Sequence, residues 1–486
     1  MNKKALWTAA IAGAILFAGE AVAQSSSAWT SETIQQLRQI SEAALQDDYA
    51  YRQTAHLTDN IGPRMAGSPQ AAAAVEYVAD EMRKLGLDVR LEKVTVPRWV
   101  RGEERGELIS YPGQVPGTKQ KIVVTALASL NCATPPEGIT ADVVVVNNLE
   151  ELAGLPRGKV QGKIVVFNER FDQKLAASGF ALEAYGQAVT YRENGRLAAA
   201  RQGAVAALVR SVGGAEFRLP HTGETGYDPK LPGIPAGAIT AEDAELLARL
   251  TAQGPVALHL VLTPKLLGEV ESYNVVADLK GSKHPEQVVI VSGHLDSWDL
   301  GTGALDDAAG VAVAMEAAQI VKQLKLQPDR TLRVVAWMAE EIGVFGGRAY
   351  AKQHAQEISN HFAAIETDLG AGHAMGINVC CDDSMLKLLR PMADILLASG
   401  AGVLRASEDT GADIIPLRVA GVPTFSPIQD VSTYFDYHHS AADTLDKIDP
   451  HRLRENAAVV ATLAYAVATI QTELPRKPQP VPDWMK

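Results

Sequence analysis

The chain is poor in cysteine, with only Cys132, Cys380 and Cys381. Three thiols do not make a disulfide framework, and a bridge between adjacent Cys380 and Cys381 would close a strained ring. Buried small apolar side chains are the reading they support. No basic tract interrupts the net charge of −12, which argues against nucleic acid as a partner. Beyond the first residues, no apolar run is long enough to span a bilayer. There is no internal repeat and no low-complexity tract. What remains is globular: 47% hydrophobic and 21% charged over 486 residues, too long for one ordinary core.

The start reads as an export signal. Lys3 and Lys4 precede an apolar run from Ala5 to Ala18, and Ala21-Val22-Ala23 is a small-residue cleavage site. Cleavage before Gln24 would release a periplasmic or extracellular protein with no membrane span. No cysteine follows that site to carry a lipid anchor.

Three textures follow. Residues 24–122 hold two amphipathic helices, one starting at Ser31 and one over 71–85. The turn-rich HLTDNIGPRMAGSP separates them, and a strand over 87–96 follows. Residues 123–262 carry short β-branched runs such as ADVVVVNN, GKIVVFNE and IPAGAIT, broken by Gly, Pro and Asn. They predict an inserted, mostly β domain without chemistry of its own. Residues 263–474 alternate strand and helix. Helices are predicted over 308–324, 346–354, 385–399 and 452–474, before a frayed Pro-rich tail at 475–486. The fold class is therefore α/β: a mixed, largely parallel sheet with helices on both faces, plus the insert.

In such sheets, sites form outside the carboxyl ends of the strands. QVVIVSG ends at His294, LRVVAWMA ends at Glu340-Glu341, and FAAIET ends at Asp368. His438-His439 follows an aromatic stretch, and Asp306-Asp307 sits before a helix. Taken singly, each has an ordinary structural explanation: Asp306 as a helix-start acid, Glu340-Glu341 as a solvated pair, Asp368 as a turn former. Converging on one crevice, these carboxylates would resist joint ionisation unless a cation compensates. With imidazoles among them, zinc is the natural cation, although cobalt or manganese fits the same ligands. His294 is then one ligand and Asp306 a carboxylate that could bridge two metals. Asp296 is spaced to hydrogen-bond the His294 imidazole and fix its tautomer.

The motifs SYNVVADLKG, GHLDSWDLGTGALDD, WMAEEIGVFGG, ETDLGAG, AGVPTFSP and HHSAADT together resemble the secreted zinc metallopeptidases with a leucyl-aminopeptidase-like fold, in particular their carboxypeptidase Q branch. The insert resembles a protease-associated domain. The resemblance implies two Zn2+ ions: one held by His294, Asp306 and Asp368, the other by Asp306, Glu341 and His439. Its H-S/T-x-x-D-T pattern selects His439, with His438 as the alternative. It also implies a cis bond between Asp306 and Asp307, and Glu340 as the general base. Glu340 would take a proton from the attacking water and return it to the leaving amine. The implied substrate is a dipeptide or short peptide with free termini. A homodimer is a family expectation alone.

An aminopeptidase on longer peptides would use the same chemistry. Only the groups that clamp the substrate termini would differ, and Asp413, His221 and Arg405 are the candidates. A single-zinc, glutaminyl-cyclase-like acyltransferase and a non-catalytic receptor are the competing classes; the complete ligand set argues against both. Trp298 is a candidate pocket wall, and Asp443 a candidate for ordering the His439 loop.

Overall fold

The central strands are largely apolar because both of their faces are covered. Val275, Val289, Val291, Val334, Ala336 and Ile365 pack into one core. Their neighbours Val276, Ile290, Val335, Trp337 and Ala364 pack into another, with Tyr350, Ile414 and Leu417. Alternation of side chains across a pleated sheet produces this division. The computed structural model describes residues 28–380, 383–482 and 485. The export signal and Cys381 lie outside these residues. Cys132 and Cys380 are buried and unpaired. Among the described residues, no helix is long and apolar enough to cross a membrane.

The first sheet has eight strands. In spatial order they are Asp88–Val100, Lys265–Leu279, Arg330–Trp337, His284–His294, His361–Glu366, Thr424–Gln429, Ala374–Cys380 and Val403–Ala406. The four from Arg330–Trp337 to Thr424–Gln429 are mutually parallel. The two strands on one flank and Ala374–Cys380 on the other run antiparallel to their inner neighbours. On one face lie the helices Ser31–Ala44, Ala309–Gln323 and Pro450–Thr469. Helix Phe345–Gln353 and the short Ile415–Val419 cover the other. The parallel strands all point their carboxyl ends the same way, so His294, Glu340, Glu341 and Asp368 emerge at one rim.

A second eight-stranded sheet is built between Glu104 and Leu262. It starts at Glu104–Ser110 rather than at residue 123, because that strand pairs with Ala257–Leu262. It is also less purely β than its sequence texture predicts. Its longest element is the helix Ala181–Arg201. That helix has a faint apolar stripe: alanines, a glycine and two arginines take the places where larger apolar residues would mark the buried face. Gly195 is one of them, and a Cβ there would sit 2.8 Å from the Phe167 ring. The tail corrects another expectation. Its first described residues pack on the domain: Arg476 donates to the His361 carbonyl at 2.7 Å, and Pro478 covers Gly421.

Arg64, in the IGPRMAGSP segment, is completely buried. Its guanidinium donates to the carbonyls of Leu295 at 2.7 Å, Thr302 at 2.7 Å and Gly303 at 2.8 Å. It thus clamps both ends of the loop between His294 and Asp306. Arg64→Met keeps the volume and leaves these carbonyls without a donor, so it should destabilise the fold by about 3 kcal/mol. A shift of the chemical-denaturation midpoint, compared with that of Arg64→Lys, checks this.

Candidate active site

Loops at the rim bring the predicted ligands into two clusters. His294, at the end of its strand, turns Nε2 toward Asp306 Oδ1 at 3.0 Å and Asp368 Oδ1 at 3.1 Å. His439 turns Nε2 toward Glu341 Oε2 at 2.9 Å and Asp306 Oδ2 at 3.3 Å. Within each trio the candidate ligand atoms lie within 4.8 Å of one another, and Asp306 belongs to both. One imidazole nitrogen facing two carboxylate oxygens can serve only one with its proton. A cation between the three donors satisfies all of them, so the residues fit a metal at each trio. His438 is less well placed: its Nε2 lies 3.4 Å from Asp306 Oδ2, and its Nδ1 is bonded to His221 Nε2 at 3.0 Å.

Backbone amides hold the acids in place. The Asp443 carboxylate accepts from the backbone N–H groups of Ala304, Leu305 and Asp306, so it orders the Asp306 loop rather than the His439 loop. Asp307, joined to Asp306 by a cis peptide, accepts from His294 N at 3.0 Å and Gly310 N at 3.0 Å. Asp296 meets the His294 imidazole through its main chain. His294 Nδ1 lies 3.1 Å from the Asp296 carbonyl oxygen and 3.8 Å from its carboxylate. The carboxylate instead accepts from Ala339 N at 2.7 Å and Glu340 N at 3.1 Å. The tautomer is fixed by a main-chain atom, and the side chain anchors the Glu340 turn. In that turn Ala339 has a left-handed φ of 66°, which sends Glu340 and Glu341 in different directions. Glu341 joins the second trio. The half-buried Glu340 carboxylate accepts no hydrogen bond among the described residues.

The predicted terminus clamps do not face the crevice freely. Asp413 is fully buried behind the rim and accepts from Gly347 N at 3.3 Å. His221 is buried against His438. Arg405 donates to Asn378 at the outer edge of the sheet. Trp298 does line a small cavity beside the second trio, with Asp306, Glu341, His439 and Asp443.

The crowding sets the protonation. Burial, then the Asp306 charge, pushes Glu341 up to about 7. Burial, together with the Asp368 and Glu341 charges, holds Glu340 well above the usual carboxylate range. For His439, burial favours the neutral ring, but Glu341 and Asp306 outweigh it and raise it to about 9. Asp306 goes the other way. Burial would raise it, yet its bonds to His294 and His439 hold it well below its ordinary value.

The model of peptidase family M28 matches residues 274–464. Carboxypeptidase Q of Bos taurus is 38% identical over 431 residues, which cover 88% of this chain and 87% of that protein. A crystal structure of a peptidase M28 precursor from Shewanella amazonensis has a TM-score of 0.85 at 37% identity, covering 92% of this chain and 99% of that one. The chain belongs to peptidase family M28. Aminopeptidase YwaD of Bacillus subtilis is a more distant relative, 25% identical over 452 residues that cover 90% of this chain and 88% of that protein. As an M28 peptidase, the chain is a hydrolase of peptide bonds, and its acidic rim is where the family match and the geometry coincide.

The protonation pattern has a consequence for the metal-free peptidase. His439 is raised from 6.5 to about 9. Its contribution to stability is therefore full below pH 6.5 and lost as pH rises through about 9. Glu341, raised from 4.5 to about 7, acts in the same direction in a lower window: its contribution is full below pH 4.5 and lost as pH rises through about 7. The Tm of chelator-treated protein should fall between pH 7 and pH 9. The increase in Tm on adding zinc should grow over the same range. Thermal denaturation at fixed ionic strength checks both.

Proposed function

We propose that this M28 peptidase is a di-zinc exopeptidase that hydrolyses dipeptides or short peptides bearing free termini, with Glu340 as general base. One observation carries the reading: two ligand trios share Asp306, and an adjacent carboxylate, Glu340, accepts no hydrogen bond among the described residues. His294, Asp306 and Asp368 would hold one ion, and Asp306, Glu341 and His439 the other. When bound, the metal pair supplies Lewis-acid polarisation of water and of the scissile carbonyl.

The protein's own groups do the rest. Glu340 takes the proton of the attacking water and delivers it to the departing amine. Its raised proton affinity suits a group that must hold the proton between these steps. Asp296 keeps Glu340 in position through the two backbone amides it binds. Asp443 does the same for Asp306. Trp298 forms an apolar wall beside the second trio and limits water there.

The 38% identity to carboxypeptidase Q favours action on short peptides with a free carboxylate. The likeness to aminopeptidase YwaD keeps an aminopeptidase as the second reading. We take the second sheet and its helices as an inserted domain of the protease-associated type that borders the crevice. The N-terminal signal would place the enzyme outside the cytoplasm, in the periplasm or beyond.

Hydrolysis of an unblocked dipeptide, its N-blocked form and its C-amidated form tests the proposal on zinc-loaded protein. Cleavage of the fully free dipeptide alone is the expected result. Equal cleavage of the C-amidated form would make the enzyme an aminopeptidase. Glu340→Gln should lower kcat by at least about 100-fold, the scale of lost general-base catalysis, while the protein still retains two equivalents of zinc.

A further inference from the structure

The two trios differ in what holds them. His294 and Asp306 are positioned by groups of the first sheet and its loops: Asp307, the Asp296 carbonyl and Asp443. His439 is held from the other side, by the second sheet's unit. Thr222 N donates to the His439 carbonyl at 2.9 Å, and the Thr222 carbonyl lies 3.2 Å from His439 Nδ1. This pair of main-chain contacts fixes both the backbone and the ring. It also fixes the tautomer, because an Nδ1–H bonded to a carbonyl leaves Nε2 free for a ligand role. His439 needs such support, since it adopts a left-handed φ of 55° that non-glycine residues rarely take.

The Thr222 segment is itself braced by Arg192 on the helix Ala181–Arg201. Arg192 Nη1 donates to the Thr222 carbonyl at 3.3 Å and to the Tyr185 hydroxyl at 2.9 Å. Tyr185 in turn stacks on Phe435 at 4.3 Å between ring centroids. Gly223 makes room for the guanidinium: a Cβ there would sit 2.5 Å from Arg192 Nη1. A second contact repeats the docking a few residues away, where Gly214 N donates to the Phe435 carbonyl at 2.9 Å.

We infer that the insert is a structural part of one metal site and not of the other, with Arg192 and the Thr222–Gly223 backbone as positioning groups for His439. The inference rests on the two-metal reading above. Its consequence is unequal dependence: disturbing the insert's bracket loosens the ion at Asp306, Glu341 and His439 and spares the ion at His294, Asp306 and Asp368.

The test is equilibrium dialysis of the full mature chain against buffered free zinc, with bound metal counted per chain. Wild-type protein should hold two equivalents. Arg192→Gln should hold one with wild-type affinity and the second at least about tenfold more weakly, the usual effect of losing an outer partner of a ligand. Gly223→Ala keeps the arginine but displaces it, and should do the same. Arg192→Lys, which retains a donor, should recover part of the second site. Arg170→Gln, on an exposed arginine paired with Glu245 of the same unit, should leave both sites unchanged. Near-UV circular dichroism selects the variants that fold, and the lysine and Gly223 variants carry the test if Arg192→Gln does not. Two wild-type affinities in folded Arg192 and Gly223 variants would overturn the inference. Equal loosening of both ions would also overturn it. A wild-type chain with a single equivalent would sink the two-metal reading first, and the inference with it.

Discussion

Buried negative charge is the constraint around which the rim is organised. Asp296, Asp306, Asp307, Glu341, Glu366, Asp413 and Asp443 are all buried at the ends of the parallel strands, and each opposes the ionisation of its neighbours. Asp306 raises Glu341 and Asp443, Asp368 raises Glu366, and Glu366 raises Asp413. Such a cluster survives in a folded protein only if compensating positive charge or hydrogen-bond donors are supplied. The fold supplies donors from the backbone. Asp443 takes three amides, while Asp296, Asp307 and Glu366 take two each. The acids treated in this way are the ones that do not belong to a trio. Asp306, Glu341 and Asp368 face histidines, with only one amide, Trp298 N at 3.3 Å, on Glu341, and that difference separates scaffold acids from ligand acids.

The same division explains the local backbone. An amide can point at a carboxylate only if its peptide plane turns out of regular structure, and the turns at 303–307 and 338–344 do this. Beside the first of them, Arg64 takes up the carbonyls of Leu295, Thr302 and Gly303. One arginine and four acids therefore convert loops that would otherwise be soft into a rigid frame. Catalytic positioning benefits directly, because Glu340 hangs from a turn whose amides are already bonded.

Much of this was legible in the sequence, and the part that was not has a common cause. Strands with alternating cover and acids at their ends announce the first sheet, and the ligand types at three strand ends announce a metal crevice. His294, Asp306, Glu341, Asp368 and His439 come together where spacing and resemblance suggested. The roles of Asp443 and Arg64 were hidden because their partners are main-chain atoms, which leave no residue pattern. Asp296 meets the His294 ring as its spacing suggested, but through the main-chain oxygen, which leaves the carboxylate to the Glu340 turn. Thr222 and Arg192 carry no signal at all: they lie about 220 to 250 positions from His439. Helix Ala181–Arg201 escaped notice because small residues and buried arginines on its inner face blur the helical period.

The chain leaves and re-enters the first sheet side by side. Val100 pairs with Lys265 at the end of two long antiparallel strands, and Gly102 lets Thr263 approach so closely that a Cβ would lie 2.0 Å from its carbonyl oxygen. Covalently, the second sheet hangs from a twisted two-stranded ribbon. The second sheet's unit is thereby joined to the rim twice: covalently through this ribbon, and on the far side through the Thr222–His439 and Gly214–Phe435 main-chain contacts. The imidazole that completes the second trio therefore sits on a path of bonds that leaves the first sheet and returns to it.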